Sequence, residues 1–125
     1  MAKNELLVKS YTAQAAISAR RIVKFGATEN SVLQAAAPAD TMFGLSIELD
    51  AAAGERVDVV LLGMGEVVYG GVVTRGALLT SDATGKAVVA APAVGINNRT
   101  IGIAVQAGVA GDIGSVLLGP DSIQG

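Results

Sequence analysis

Residues 42–71, MFGLSIELDAAAGERVDVVLLGMGEVVYGG, decide the fold. Phe43, Leu45, Ile47 and Leu49 alternate with Met42, Gly44, Ser46, Glu48 and Asp50, a period of two that predicts a half-buried strand. After the small-residue turn Ala51-Ala52-Ala53-Gly54, Val57, Val59 and Leu61 fall on one side of a second strand and Val60 and Leu62 on the other. That strand is expected to be covered on both faces. Gly63 and Gly65 then allow a tight reversal or a bulge before Val67-Val68-Tyr69. The stretch reads as strand, turn, strand, turn and strand.

The unit returns near the C-terminus. Gly44-Leu45-Ser46-Ile47 matches Gly102-Ile103-Ala104-Val105, and residues 57–63 match Ile113-Gly114-Ser115-Val116-Leu117-Leu118-Gly119. Two such hairpins would pack as halves of one small barrel, and the repeat is too short for a solenoid.

Outward from this centre the pattern stays β. Residues 5–12 read as an extended segment, an arm or an edge strand, and residues 1–12 are set apart as an N-terminal arm before a single β-rich domain, 13–125. Residues 13–19 have the propensity for a turn of helix, but strands at 21–26 and 31–35 leave it little room. Pro38 marks a loop. Ser81-Asp82-Ala83-Thr84-Gly85-Lys86 is the strongest local hairpin signal, because Asp82 can accept nearby backbone N–H groups and Gly85 can take positive φ. Order is expected to end near Gly119-Pro120-Asp121, with a loose tail beyond. Short strands separated by Gly-containing turns predict an all-β fold, a small antiparallel β-barrel or β-sandwich with an extended N-terminal arm.

Composition narrows the class. The chain has 125 residues, one domain's worth, with 51% hydrophobic and 16% charged residues. A short chain this apolar has difficulty covering itself, so a homo-oligomer is expected. The net charge of -2 conceals an asymmetry. Residues 1–24 carry Lys3, Lys9, Arg20, Arg21 and Lys24 against Glu5 alone, and the rest of the chain is acidic. The basic segment suits docking on an acidic partner or simple solvation of an edge strand. MAKNELLVKS lacks the apolar core of a signal peptide, and no apolar run approaches the ~20 residues that span a bilayer, so synthesis in the cytoplasm and no membrane partner are expected.

With no His and no Cys, the common general base, the thiol nucleophile and the usual zinc ligands are missing. Glu48 and Asp50 share one strand face, which reads more simply as a solvated face than as an acid–base pair. Gly63-Met64-Gly65 lacks the third glycine and the following helix of a phosphate loop. Four aromatics in an acidic chain argue against nucleic-acid binding by stacking. No catalytic residue, metal site or cofactor is expected.

The order of features carries a family resemblance. A basic N-terminal segment precedes Ala16-Ile17-Ser18-Ala19-Arg20-Arg21-Ile22-Val23-Lys24, a Pro-containing loop and Gly44-Leu45-Ser46. Ala52-Ala53-Gly54-Glu55-Arg56-Val57-Asp58-Val59, Leu62-Gly63, the run from Arg75 to Val88, Ile101-Gly102-Ile103-Ala104 and Gly111-Asp112 follow. This resembles the capsid cement, or head decoration, proteins of tailed bacteriophages, with Arg20-Arg21 standing where that pattern expects a small residue. The resemblance implies a trimer on the outer capsid surface of the virion that clamps neighbouring major capsid subunits against DNA pressure, with no enzyme activity and no cofactor. On that reading Lys3, Leu6, Val8, Lys9, Arg20, Arg21 and Lys24 are candidate capsid contacts. Val57, Val59, Val60, Leu61 and Leu62 are candidates for the subunit interface or core. Two alternatives remain open: a receptor- or glycan-binding virion module, and a small trimeric β enzyme of nucleotide metabolism.

Overall fold

Strand β5, Arg56–Val68, is the longest element of the structure, a computed structural model that describes residues 3–125. Before it come β1 (Asn4–Ala13), β2 (Ile22–Phe25), β3 (Ser31–Gln34) and β4 (Met42–Ser46). After it come β6 (Leu78–Ser81), β7 (Ala87–Val89), β8 (Asn97–Ala104) and β9 (Ile113–Gln124). All nine belong to one sheet, ordered β1-β3-β2-β4-β5-β9-β8-β6-β7, and the fold is all-β.

The order conceals two closed circuits. β1 also pairs with β5, so β1-β3-β2-β4-β5 returns on itself. The parallel bridge from Tyr69 to Ala87 closes β5-β9-β8-β6-β7 in the same way. Each unit has a hairpin (β2–β3, β6–β7) whose first strand pairs with a third strand (β4, β8), which pairs with a last one (β5, β9). Even the loops correspond. Ile17 bridges Ala51 as Val73 bridges Gly108, and Glu55 accepts the N–H of Ala52 at 2.7 Å as Asp112 accepts that of Val109 at 2.9 Å. The two similar hairpins are therefore not halves of one barrel. Each closes its own barrel-like unit, and β5 serves both.

Apolar residues divide accordingly. Val23, Val32, Val57 and Val59 fill a smaller core inside the first unit. The larger core joins the second unit's interior, including Val67, Tyr69, Leu79 and Ile101, to Ile22, Leu45 and Val60 from the outer face of the first. β4 lies between them, so Met42 and Leu45 point into the larger core while Phe43 packs on the smaller. Simple alternation with one wet face fails here for that reason. The strand also ends at Ser46; beyond it Asp50 is tied to the Ala19 N–H at 2.7 Å.

One expectation narrows, to the bulge of the two alternatives at Gly63 and Gly65, and one changes. β5 passes through Gly63 and Gly65 without reversing; Gly63 takes φ of 98° beside the register shift between Glu5 and Leu7, and a side chain there would strike the Asn4 carbonyl. The C-terminus is not loose. β8 is longer than β4, and its first residues hold β9 to the end, with Asn97 opposite Gln124.

The turn at Arg20 shows why a small residue is expected there. Arg20 is the one non-glycine with positive φ among the described residues, 55°, and its counterpart in the second unit is Gly76 at 92°. A Cβ at Gly76 meets nothing within 4 Å, so Gly76→Ala isolates the backbone cost. Thermal unfolding should show a loss of about 1–2 kcal/mol. An unchanged midpoint would show that this turn bears no strain.

Candidate functional site

β1 presents an open strand edge. Along one side it pairs with β5 from Asn4 to Thr12, whereas β3 reaches its other side only at Thr12 and Ala13. Between Asn4 and Tyr11 no other strand pairs with that second side among the described residues. Leu6, Leu7, Val8 and Lys9 are all exposed, although two bulges place Val8 opposite the buried Val60 and Leu7 opposite Leu62. Such an edge offers backbone donors and acceptors to an incoming strand. The segment read as an arm thus lies along the sheet from Asn4 onward; Met1 and Ala2 fall outside the described residues.

Most of the basic residues have internal work. Lys3 sits 3.2 Å from Glu48 and 3.7 Å from Glu5, and the hydrogen bond to Glu48 holds its ammonium above the ordinary lysine range. Arg20 Nε lies 3.3 Å from Glu66, and Lys24 Nζ lies 3.1 Å from Asp40. Arg21 donates instead to the carbonyls of Ala19 and Thr84, at 2.9 and 3.2 Å. Three basic residues close in sequence therefore diverge to separate partners. Of the interface or core candidates, Val57 and Val59 lie in the smaller core, Val60 in the larger, Leu61 packs on the smaller, and Leu62 is exposed.

An aromatic cluster was not visible in the sequence. Phe25 stacks on Phe43 with centroids 4.0 Å apart, Tyr11 meets Phe43 edge-on at 5.5 Å, and the Lys9 ammonium stands 5.1 Å over the Tyr11 ring. These residues come from β1, β2 and β4. Phe25 and Phe43 meet because β2 pairs with β4, and Tyr11 joins them because β1 closes the first circuit through β3 and β5; no local spacing announces it.

Carboxylates here serve structure. Burial alone would raise the Asp40 carboxyl, but the N–H of Ala36, the ion pair with Lys24 and the N–H of Ala37 together outweigh it and hold it below the ordinary value. Glu48 is held down by its own backbone N–H and by Lys3, and Asp58 by Arg56 and Ser10. Groups lowered on folding stabilise fully above their unfolded values and lose that contribution as pH falls through the folded ones. The midpoint of unfolding should hold at neutral pH and decline below about pH 4. Asp40→Asn should unfold at lower temperature at pH 7, with the gap closing in acid; calorimetry from pH 7 to 2 showing a constant gap would refute this role. Among the described residues no group of three or more acidic side chains is placed to hold a metal ion.

The chain resembles known proteins in fold and in sequence family. No curated protein matches it significantly. The crystal structure of the head fiber gp8.5 N base of bacteriophage phi29 is similar, with a TM-score of 0.68 at 18% identity, covering 90% of this chain and 93% of that one. That likeness is one of fold. A family model of phage cement proteins matches residues 2–119, nearly the whole sequence. The chain therefore belongs to the phage cement proteins, structural proteins of the bacteriophage virion.

Proposed function

We propose that the protein binds the outer surface of the phage head as a trimer and clamps neighbouring major capsid subunits against internal DNA pressure. Family membership supports the setting. The observation that carries the contact is the open edge of β1, with Leu6, Val8 and Lys9 exposed beside unpaired backbone. A capsid strand added there gains main-chain hydrogen bonds, and the apolar side chains fix its register. Residues 1–12 are the capsid-binding element on this reading. Of the basic candidates, Lys9 and Arg21 meet acidic capsid surface, since Lys3, Arg20 and Lys24 are matched internally by Glu48, Glu66 and Asp40. Each contact need not be strong. Three identical edges on one trimer engage together, and effective concentration multiplies them.

The test is co-sedimentation with expanded heads that lack the protein. Native chain should bind near stoichiometrically and raise the temperature at which heads disrupt. Leu6→Asp combined with Lys9→Glu should weaken binding at least about tenfold, the equivalent of one lost apolar anchor and one charge pair. Native protein that leaves heads unbound would overturn the function; a double variant that binds undiminished would remove β1 from it.

A further inference from the structure

Because the two units correspond strand for strand, residues of the first have counterparts in the second. Ile22, Leu45 and Val60 face one another across β2, β4 and β5. The matching ladder is Leu78, Ile103 and Leu117 across β6, β8 and β9; the strand register makes Leu117 the counterpart of Val60, one residue on from the Val116 that the sequence match of 57–63 to 113–119 assigns. Their surroundings differ. The first ladder is 0%, 0% and 1% exposed, within the core it shares with the second unit's interior. The second stands 38%, 41% and 51% exposed, wholly aliphatic.

At the other end the asymmetry reverses. Tyr11, Phe25 and Phe43 occupy the positions that Val67, Ser81 and Ile101 hold in the second unit. Those three are all 0% exposed, and Val67 and Ile101 belong to the core that the first ladder enters. In the first unit no ladder arrives. Phe25 is 52% exposed, and Tyr11 and Phe43 are half-buried. The chain thus contains one junction that is made and both halves of a second that is not.

We propose that a second copy of this chain completes the open junction. The aliphatic ladder of β6, β8 and β9 on one copy docks on the Tyr11–Phe25–Phe43 cluster of the next, as the first unit docks on the second within the chain. The internal junction supplies the template for the ladder and its rim, but not for β5, which runs through both units there and which two copies do not share. At the rim the turn between β6 and β7 meets the start of β2, where the Ile22 N–H donates to the Gly85 carbonyl at 2.8 Å and Arg21 Nε to Thr84 at 3.2 Å. Between copies the corresponding turn between β2 and β3 sits over the start of β6. The contact joins unlike surfaces and is heterologous, so copies assemble head to tail, and on the trimer reading three of them close as a ring. This rests on the trimer reading above and locates its interface. Only Leu62 of the five interface or core candidates is as exposed as the ladder, and none belongs to it.

Head-to-tail assembly has a signature that a self-complementary interface lacks. Ile103→Glu disables the ladder and Phe25→Glu the aromatic cluster, each at an exposed site that leaves the monomer's cores intact. Light scattering should give a trimer for native chain and a monomer for either variant, with circular dichroism confirming the native fold; Leu117→Lys serves as a second ladder variant. An equimolar mixture of the two variants should form a 1:1 dimer and nothing larger, because one intact ladder still meets one intact cluster. Folded variants that remain trimeric, or a mixture that stays monomeric, would overturn the interface. If native trimers bind heads while the variants also remain trimeric, the interface falls and the cement function stands. Native chain that is monomeric and ignores heads overturns both.

Discussion

Tyr69→Ala is expected to cost about 3–5 kcal/mol, a large part of the ~5–15 kcal/mol that holds a typical domain folded. Tyr69 is the largest fully buried side chain, and it sits where β5 ends and the second circuit closes on Ala87. Its ring lies directly on Gly114 and beside Gly108, and its hydroxyl donates to the Gln106 carbonyl at 2.5 Å. The space exists only because those positions have no side chain. Gly114→Ala should therefore cost about 1–3 kcal/mol in the native background, where a Cβ collides with the ring, and much less beside Tyr69→Ala, where it enters the vacated space. Denaturant titration of the four proteins in the cycle measures this coupling. Additive losses would mean that the ring and Gly114 do not share one space. Burial also holds the Tyr69 phenol above its ordinary value of 10.0. A group raised on folding stabilises fully below its unfolded value and loses that contribution as pH rises through the folded one, so stability should fall above about pH 10.

The sequence made strands legible wherever the determinants are local. Asp82 and Gly85 announce the turn between β6 and β7, and the hydrogen bonds from Thr84 and Lys86 to Asp82 are those such a turn requires. The match of residues 44–47 to 102–105 identified equivalent strands, β4 and β8. What it could not reveal is that β5 belongs to both units, because sharing depends on which edge each neighbour takes. The tail looked loose for the same reason: nothing in Gly119-Pro120-Asp121 shows that residues 97–100 lie alongside. Charge was the least legible feature. Arg20, Arg21 and Lys24 read as one basic cluster, yet Glu66, a carbonyl from the second unit's turn and Asp40 claim them separately. The Tyr11–Phe25–Phe43 cluster was hidden because its members stand on three different strands.

Leu45→Ala tests whether the two units are one cooperative body. Leu45 is fully buried in the larger core and pairs with both Ile22 and Val60, and a Cβ on Gly65 would fall 2.8 Å from its methyl. It comes from the first unit and fills the second. Truncation should cost about 2–5 kcal/mol. Unfolding should remain a single transition, since losing the first unit uncovers the second's core and both depend on β5. Two separable transitions in calorimetry would show that the units hold themselves. The counterpart substitution sharpens the point. Ile103 occupies the same place in the second ladder but is 41% exposed, so Ile103→Ala should cost the dilute chain under about 1 kcal/mol. Anything that binds the folded state alone stabilises it by mass action. If another copy covers the ladder, the penalty at Ile103 must grow with protein concentration while that at Leu45 stays constant, and equal behaviour at both would show that nothing in solution completes the second junction.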